Sequence, residues 1–142
     1  MEIVRRTPEV SLKEVFLRAA KGLSDPKDYR GEIVAEALKY LQEGFGAHYA
    51  TGGVTDDAIL VGDLAYAWAV ETIARLDEPR FVGVASRMIR DGAGEISRGN
   101  PVSIELWTSH LAQLLSIISG EDEDRSEERI RIAIGEAKGA GE

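Results

Sequence analysis

Carboxylates surround the most apolar stretch of the chain. Asp56 and Asp57 open the segment DDAILVGDLAYAWAVETIARLDEP, residues 56–79, and Asp63 follows Gly62 in its middle. Carboxylates one or two turns apart on a helix can hold Mg²⁺ together with a substrate phosphate. Asp57, however, points away from the side that Asp56 and Asp63 share, and the helix dipole explains both first-turn acids. We therefore expect no metal here, and we predict that Asp63 makes a buried structural contact, because an unpaired buried carboxylate is costly.

A second carboxylate of interest is Glu95, in the segment GAGEISRG of residues 92–99. Gly92 and Gly94 precede it inside a predicted helix, where each glycine costs about 1 kcal/mol relative to alanine. Their presence indicates close helix packing more than a binding role. The two histidines, His48 and His110, have no neighbouring ligand at metal-binding spacing, so we expect ordinary residues at the surface or at the edge of the core.

Composition excludes several classes of function. The chain has 142 residues and no cysteine, so it fits one domain, residues 1–142, without disulfides, iron–sulfur clusters or thiolate zinc sites. Its net charge of -8 disfavours nucleic acid and anionic membranes as partners. No apolar run approaches the roughly 20 residues of a membrane span. We expect a cytoplasmic protein, since the start of the chain resembles no secretion signal.

Helix signals recur along the chain, and no segment alternates as a strand does. Ser11 and Glu14 form a capping box, Asp25 precedes a first-turn proline, and the glycine-rich residues 44–53 predict a loop. The pattern predicts an all-α, single-domain bundle of about six helices around an apolar central helix. The predicted helices are 10–23, 26–43, 56–76, 79–98, 101–119 and 127–138.

The third predicted helix is apolar around most of its circumference, whereas a helix on one side of a bundle needs only one apolar stripe. It therefore has to be covered on all sides. Either the other five helices surround it, or a partner subunit completes the cover, because a small domain buries a smaller fraction of its surface than a large one. We favour the partner.

Two segments resemble consecutive helices of the trans-isoprenyl diphosphate synthases. AILVGDLAYAWAVETIA, residues 58–74, resembles the helix after the first aspartate-rich motif of that family, and VASRMIRDGAGEISRGN, residues 84–100, resembles the next helix. Gly62-Asp63 and Gly94-Glu95 are the family-like residues. Weaker similarity lies in residues 114–123 and 132–141. Together, the four segments cover roughly residues 53–139.

The catalytic motifs of that family are missing. Ala58, Ile59 and Leu60 follow Asp56-Asp57 where a third aspartate is needed, and the second aspartate-rich motif has no counterpart. The resemblance is therefore to a truncated, non-catalytic small subunit of a heteromeric prenyl diphosphate synthase. It implies no catalytic residue in this chain, no cofactor unless a partner completes a Mg²⁺ site, and a larger synthase subunit as partner. Tyr66, Trp68 and Val70 are the candidates to face that partner.

Two other functions remain open from the sequence. The chain could be a self-associating helical homodimer without an enzymatic partner, its third helix buried between two copies. It could also be a small metal-dependent enzyme that uses Asp63 and Glu95 on a diphosphate. Arg87, Arg90 and Arg98 are the cations near these carboxylates.

Overall fold

Six α-helices and one short 3-10 helix form the fold of the residues that the structure describes. The computed structural model describes residues 10–23, 25–49, 56–100 and 102–140, and no strand occurs among them. The predicted all-α class and the single-domain bundle of six helices are confirmed. The helices are α1 (Leu12–Ala20), α2 (Arg30–Tyr49), α3 (Asp56–Ala74), α4 (Pro79–Ser97), α5 (Thr108–Ser119) and α6 (Glu123–Ala140), with the 3-10 helix at Ile104–Trp107.

Several helix ends follow from the capping residues in the sequence. The Ser11 hydroxyl accepts a hydrogen bond from the Glu14 backbone N–H at 3.2 Å, as a capping box requires. Pro79 occupies the first turn of α4 after its N-cap, Glu78. Gly120, with φ 76°, ends α5 in the left-handed conformation that glycine tolerates best.

Helix α2 differs from its prediction at both ends. Its start at residue 26 was wrong, because the Asp25 carboxylate accepts a hydrogen bond from the Lys27 N–H at 2.8 Å and forms a turn, so that α2 begins at Arg30. At its other end the helix does not stop at residue 43 but continues through the glycines to Tyr49. Packing against α3 outweighs the low helix propensity of these glycines. Residues 50–53 of the predicted loop lie outside the described residues.

The last two helices are also shifted. The predicted start of the fifth helix at residue 101 lies outside the described residues, and α5 begins only at Thr108, after the 3-10 helix. Helix α6 begins at Glu123 instead of residue 127, because the Asp122 carboxylate accepts a hydrogen bond from the Arg125 N–H at 2.8 Å. The acidic residues before position 127 therefore supply an N-cap and a first turn.

The apolar helix α3 lies at one side of the bundle and packs mainly on α2 and α4. Its predicted central position within the chain's own bundle was wrong, since only one side is buried, chiefly through Ala65, Ala69, Thr72 and Ile73. The other five helices therefore do not surround α3, and the cover by a partner subunit that we favoured stays a prediction. Helices α1, α2, α4, α5 and α6 supply most of the core. Its largest fully buried side chains are Leu12, Val15, Phe16, Leu38, Leu41, Ile73, Phe81, Met88, Leu111, Leu114, Leu115 and Ile130.

Candidate functional site

Asp63 is not buried. Its side chain is 62% exposed, and its carboxylate oxygen lies 3.3 Å from Nε2 of His48. The expectation of a buried contact to an arginine, a backbone N–H or a hydroxyl was therefore wrong. The carboxylate lies on the flank of α3 where water reaches it, so its position in an apolar helix carries no desolvation penalty.

In the Gly62-Asp63 pair, the glycine is the residue that the packing of the helices requires. A Cβ atom at position 62 would lie 2.2 Å from the His48 ring, so only glycine admits this histidine. Nε2 of His48 also lies 3.2 Å from the Ile59 carbonyl oxygen. The imidazole thus joins the end of α2 to the side of α3. The absence of a side chain at Gly62 leaves the space that the ring occupies.

Tyr66 faces α2. A Cβ atom at Gly44 would lie 2.3 Å from the Tyr66 ring, and Phe45 and His48 pack on the same ring at centroid distances of 5.5 Å and 4.9 Å. Its hydroxyl is buried without a hydrogen-bond partner among the described residues. Burial and, secondly, the charge of Asp63 raise the pKa of Tyr66 far above its usual value. This side chain belongs to the α2–α3 contact.

Glu95 is held by its own helix end. Its carboxylate accepts hydrogen bonds from Arg98 and, at 3.0 Å, from the Asn100 side chain. These two donors hold the pKa of Glu95 below its usual value. Asp63 and Glu95 therefore have different partners, on α2 and at the end of α4. The close packing predicted for Gly92 is present, since a Cβ there would lie 2.6 Å from Phe45, whereas a Cβ at Gly94 would approach only Arg98.

One buried polar pair was not predicted from the sequence. His110, which is 8% exposed, places Nε2 2.7 Å from the Asp91 carboxylate, and its Nδ1 has no partner among the described residues. The His110 hydrogen bond, together with Arg90, holds the pKa of Asp91 below its usual value. The two residues lie 19 positions apart on different helices, so no local pattern marks them. The pair ties α4 to α5.

No cluster of three or more acidic, histidine or cysteine side chains suited to a metal ion occurs in the described part of the chain. Asp56 and Asp57 are exposed at the start of α3. A groove of about 580 Å³ lies between α5 and α6, but charged side chains that line it pair with one another, Lys138 with Glu105 and Arg131 with Glu127. Both cations of this groove are therefore already neutralised by a carboxylate.

The outer side of α3 is the most unusual surface of the described residues. Leu60, Val61, Leu64, Ala67 and Trp68 lie there side by side, and we call these five residues the α3 face. Its four large side chains are 44% to 65% exposed, and Ile59 on its flank is 40% exposed. Residues at spacings of three and four share one side of a helix, so the face is continuous.

The predicted partner-facing residues occupy different positions around α3. Trp68 belongs to the α3 face, and its ring lies near Tyr40 of α2 at a centroid distance of 6.3 Å. Val70 is half-buried, and Tyr66 packs on α2. Leu60, Val61 and Leu64 were not singled out from the sequence, because a helix that is apolar all round does not show which side its neighbours cover.

Comparison with protein-family models, with curated proteins and with solved structures gave no match. None of the described helices combines the length and the hydropathy needed to cross a membrane.

Proposed function

We propose that the protein is a non-catalytic helical subunit that acts by packing its α3 face against another polypeptide chain. The observation that carries this proposal is the row of exposed large side chains at Leu60, Val61, Leu64 and Trp68. Large contiguous apolar patches on the surface of a folded protein mark interaction sites. Burying the remaining surface of such a side chain stabilises a complex by about 1 kcal/mol or more.

The helix that carries the α3 face packs closely against α2 on its other side. Gly44 and Gly62 bring α2 and α3 into close contact, with Tyr66 and His48 filling the space beside them. A face fixed in this way loses little conformational freedom when a partner binds. The geometry therefore favours a preformed docking surface.

One candidate partner comes from the resemblance of residues 58–74 and 84–100 to trans-isoprenyl diphosphate synthases. In that form the chain packs on the larger, catalytic subunit, which carries the aspartate-rich motifs and the Mg²⁺. The two resembling segments lie mostly in α3 (Asp56–Ala74) and α4 (Pro79–Ser97), which are consecutive and in contact. This chain then supports the assembly and contributes no catalytic residue.

A second copy of the chain is the other candidate partner. Charged residues of opposite sign at the two ends of the α3 face favour it. Both candidates use the same face, so occupation by one excludes the other there.

The test is affinity purification of the tagged protein from its source cells, comparing wild type with Leu64→Asp. A charge at Leu64 should abolish at least about nine-tenths of the retained partner, because an aspartate buried in an apolar interface is costly. Ile132→Asp is the matched control, since Ile132 is 58% exposed on α6 and should retain the partner fully. The prenyl synthase candidate requires that the retained chain bear both aspartate-rich motifs.

Retention that is equal for wild type and Leu64→Asp would contradict the proposed function. Circular dichroism of both variants shows whether they are folded, and we expect no change, because both side chains lie on the surface.

A further inference from the structure

Charged residues continue the α3 face at both ends. Asp57 lies one turn before Val61, and Glu71 follows Trp68 by three residues. Arg75, in the turn directly after α3, follows Glu71 by four residues. All of these residues are exposed. The positions 57, 61, 64, 68, 71 and 75 alternate steps of four and three, which is the seam along which one helix packs on another. The seam is about 27 Å long at 1.5 Å per residue.

The end charges of this seam have opposite signs. Neither Asp57 nor Arg75 takes part in an ion pair with any residue that the structure describes. One end of the seam is therefore acidic and the other carries a guanidinium. A partner that complements the seam needs the reverse order of charge along an apolar helix.

A second copy of the chain, turned end for end, has that order. We infer that the α3 face pairs with the α3 face of a second copy in an antiparallel, two-fold contact, with Asp57 of each copy facing Arg75 of the other. This inference rests on the proposed function, in that the α3 face is the docking surface. In this register Leu64 of one copy lies opposite Trp68 of the other, and Glu71 lies opposite Val61.

Two other pairings of two copies place like charges together. A parallel pair aligns Asp57 with Asp57 and Arg75 with Arg75. An antiparallel pair centred on Leu64 places Asp57 opposite Glu71. Like charges at close range oppose association, so the charge pattern disfavours these two pairings, and the register with Asp57 opposite Arg75 gains two attractive pairs. A two-fold contact also makes the Asp57–Arg75 pair twice, which doubles its effect.

The experiment measures dimerisation of the full chain by sedimentation equilibrium for wild type, Asp57→Lys, Arg75→Glu and the double variant. Wild type should reach a mass of twice 15.5 kDa as concentration rises. Each single variant replaces two attractive pairs by two repulsive ones and should weaken dimerisation roughly 3- to 30-fold. The double variant restores both pairs with their charges exchanged, so its dissociation constant should return to within about threefold of wild type.

A mixture of the two single variants gives a further check. In the mixed dimer the introduced lysine of Asp57→Lys faces the introduced glutamate of Arg75→Glu, and the retained Arg75 faces the retained Asp57. The mixed dimer should therefore form more tightly than the dimer of either single variant alone. Each substitution places a charge that opposes the helix dipole at one end of α3, which should slightly lower the stability of the folded chain. Circular dichroism at the concentrations used for sedimentation therefore checks that each variant is still folded.

Two outcomes would overturn this inference. If all four proteins form a dimer equally tightly, the two copies pair in another register. If wild type stays monomeric at every concentration, the two copies make no contact through this face. The proposed function survives the second outcome if wild type, and not Leu64→Asp, retains a different chain from its source cells. It fails as well if Leu64→Asp changes nothing.

Discussion

At the scale of single residues, two carboxylate–imidazole pairs connect helices. Asp63 and His48 join α3 to the end of α2, and Asp91 and His110 join α4 to α5. Each carboxylate faces one imidazole and lies apart from the other pair. Such contacts fix the positions of helices, which is what a protein acting through a rigid surface requires.

The Asp91–His110 contact predicts a specific acid response. The pKa of Asp91 is lowered in the folded protein, so its contribution to stability is present above the usual value of 3.8 and is lost as the pH falls through the lower folded pKa. Asp91→Asn should therefore be less stable than wild type at about pH 7. That difference should shrink as the pH falls below about 4.

Urea unfolding between about pH 7 and about pH 2.5 measures this difference. Glu36→Gln, on the exposed side of α2, is the control and should leave the midpoint at neutral pH unchanged. Wild-type and Asp91→Asn curves that remain parallel over the whole acid range would contradict the assignment.

At the scale of helices, the contact between α2 and α3 depends on glycine. Gly44 lies against the Tyr66 ring, whereas a Cβ atom at Gly46, two residues later in the same helix, would meet nothing within 4 Å. The two positions have the same intrinsic helix propensity and differ only in their surroundings. They therefore separate the effect of packing from the effect of backbone entropy.

Gly44→Ala should destabilise the protein by about 1–3 kcal/mol, because the added methyl group forces the buried Tyr66 ring to move. Gly46→Ala should stabilise it by about 0.5–1 kcal/mol, because alanine restricts the unfolded chain and favours the helix. Thermal and urea unfolding of the two variants test this contrast. A Gly44→Ala variant that is as stable as Gly46→Ala would show that α2 and α3 are not in close contact at Gly44.

The helices themselves were largely predictable from the sequence, but their contacts were not. Caps such as Ser11 and the glycine after α5 act locally, so composition and spacing are sufficient to find them. The extension of α2 through Gly44 was not predictable, because its cause is Tyr66, a residue on another helix. The position of α3 at the side of the bundle was missed for a related reason, since an apolar circumference does not show which side is covered.

At the scale of the whole molecule, the exposed α3 face and the net charge act against each other. Two copies with a charge of -8 each repel at long range. The apolar contact has to outweigh this repulsion, which physiological salt weakens beyond about 8 Å. The Asp57 and Arg75 positions supply attraction at close range, where orientation is decided.

The central claim is that the α3 face is covered in the working protein, and acrylamide quenching of tryptophan fluorescence tests it most directly. Trp68 is 44% exposed and Trp107 is 2% exposed, so quenching in the single chain reports almost entirely on Trp68. We predict that quenching falls and the emission shifts to shorter wavelength as the protein assembles with itself or with its partner. Leu64→Asp should remain fully quenchable. A wild-type assembly in which Trp68 stays as accessible as in the single chain would contradict the claim.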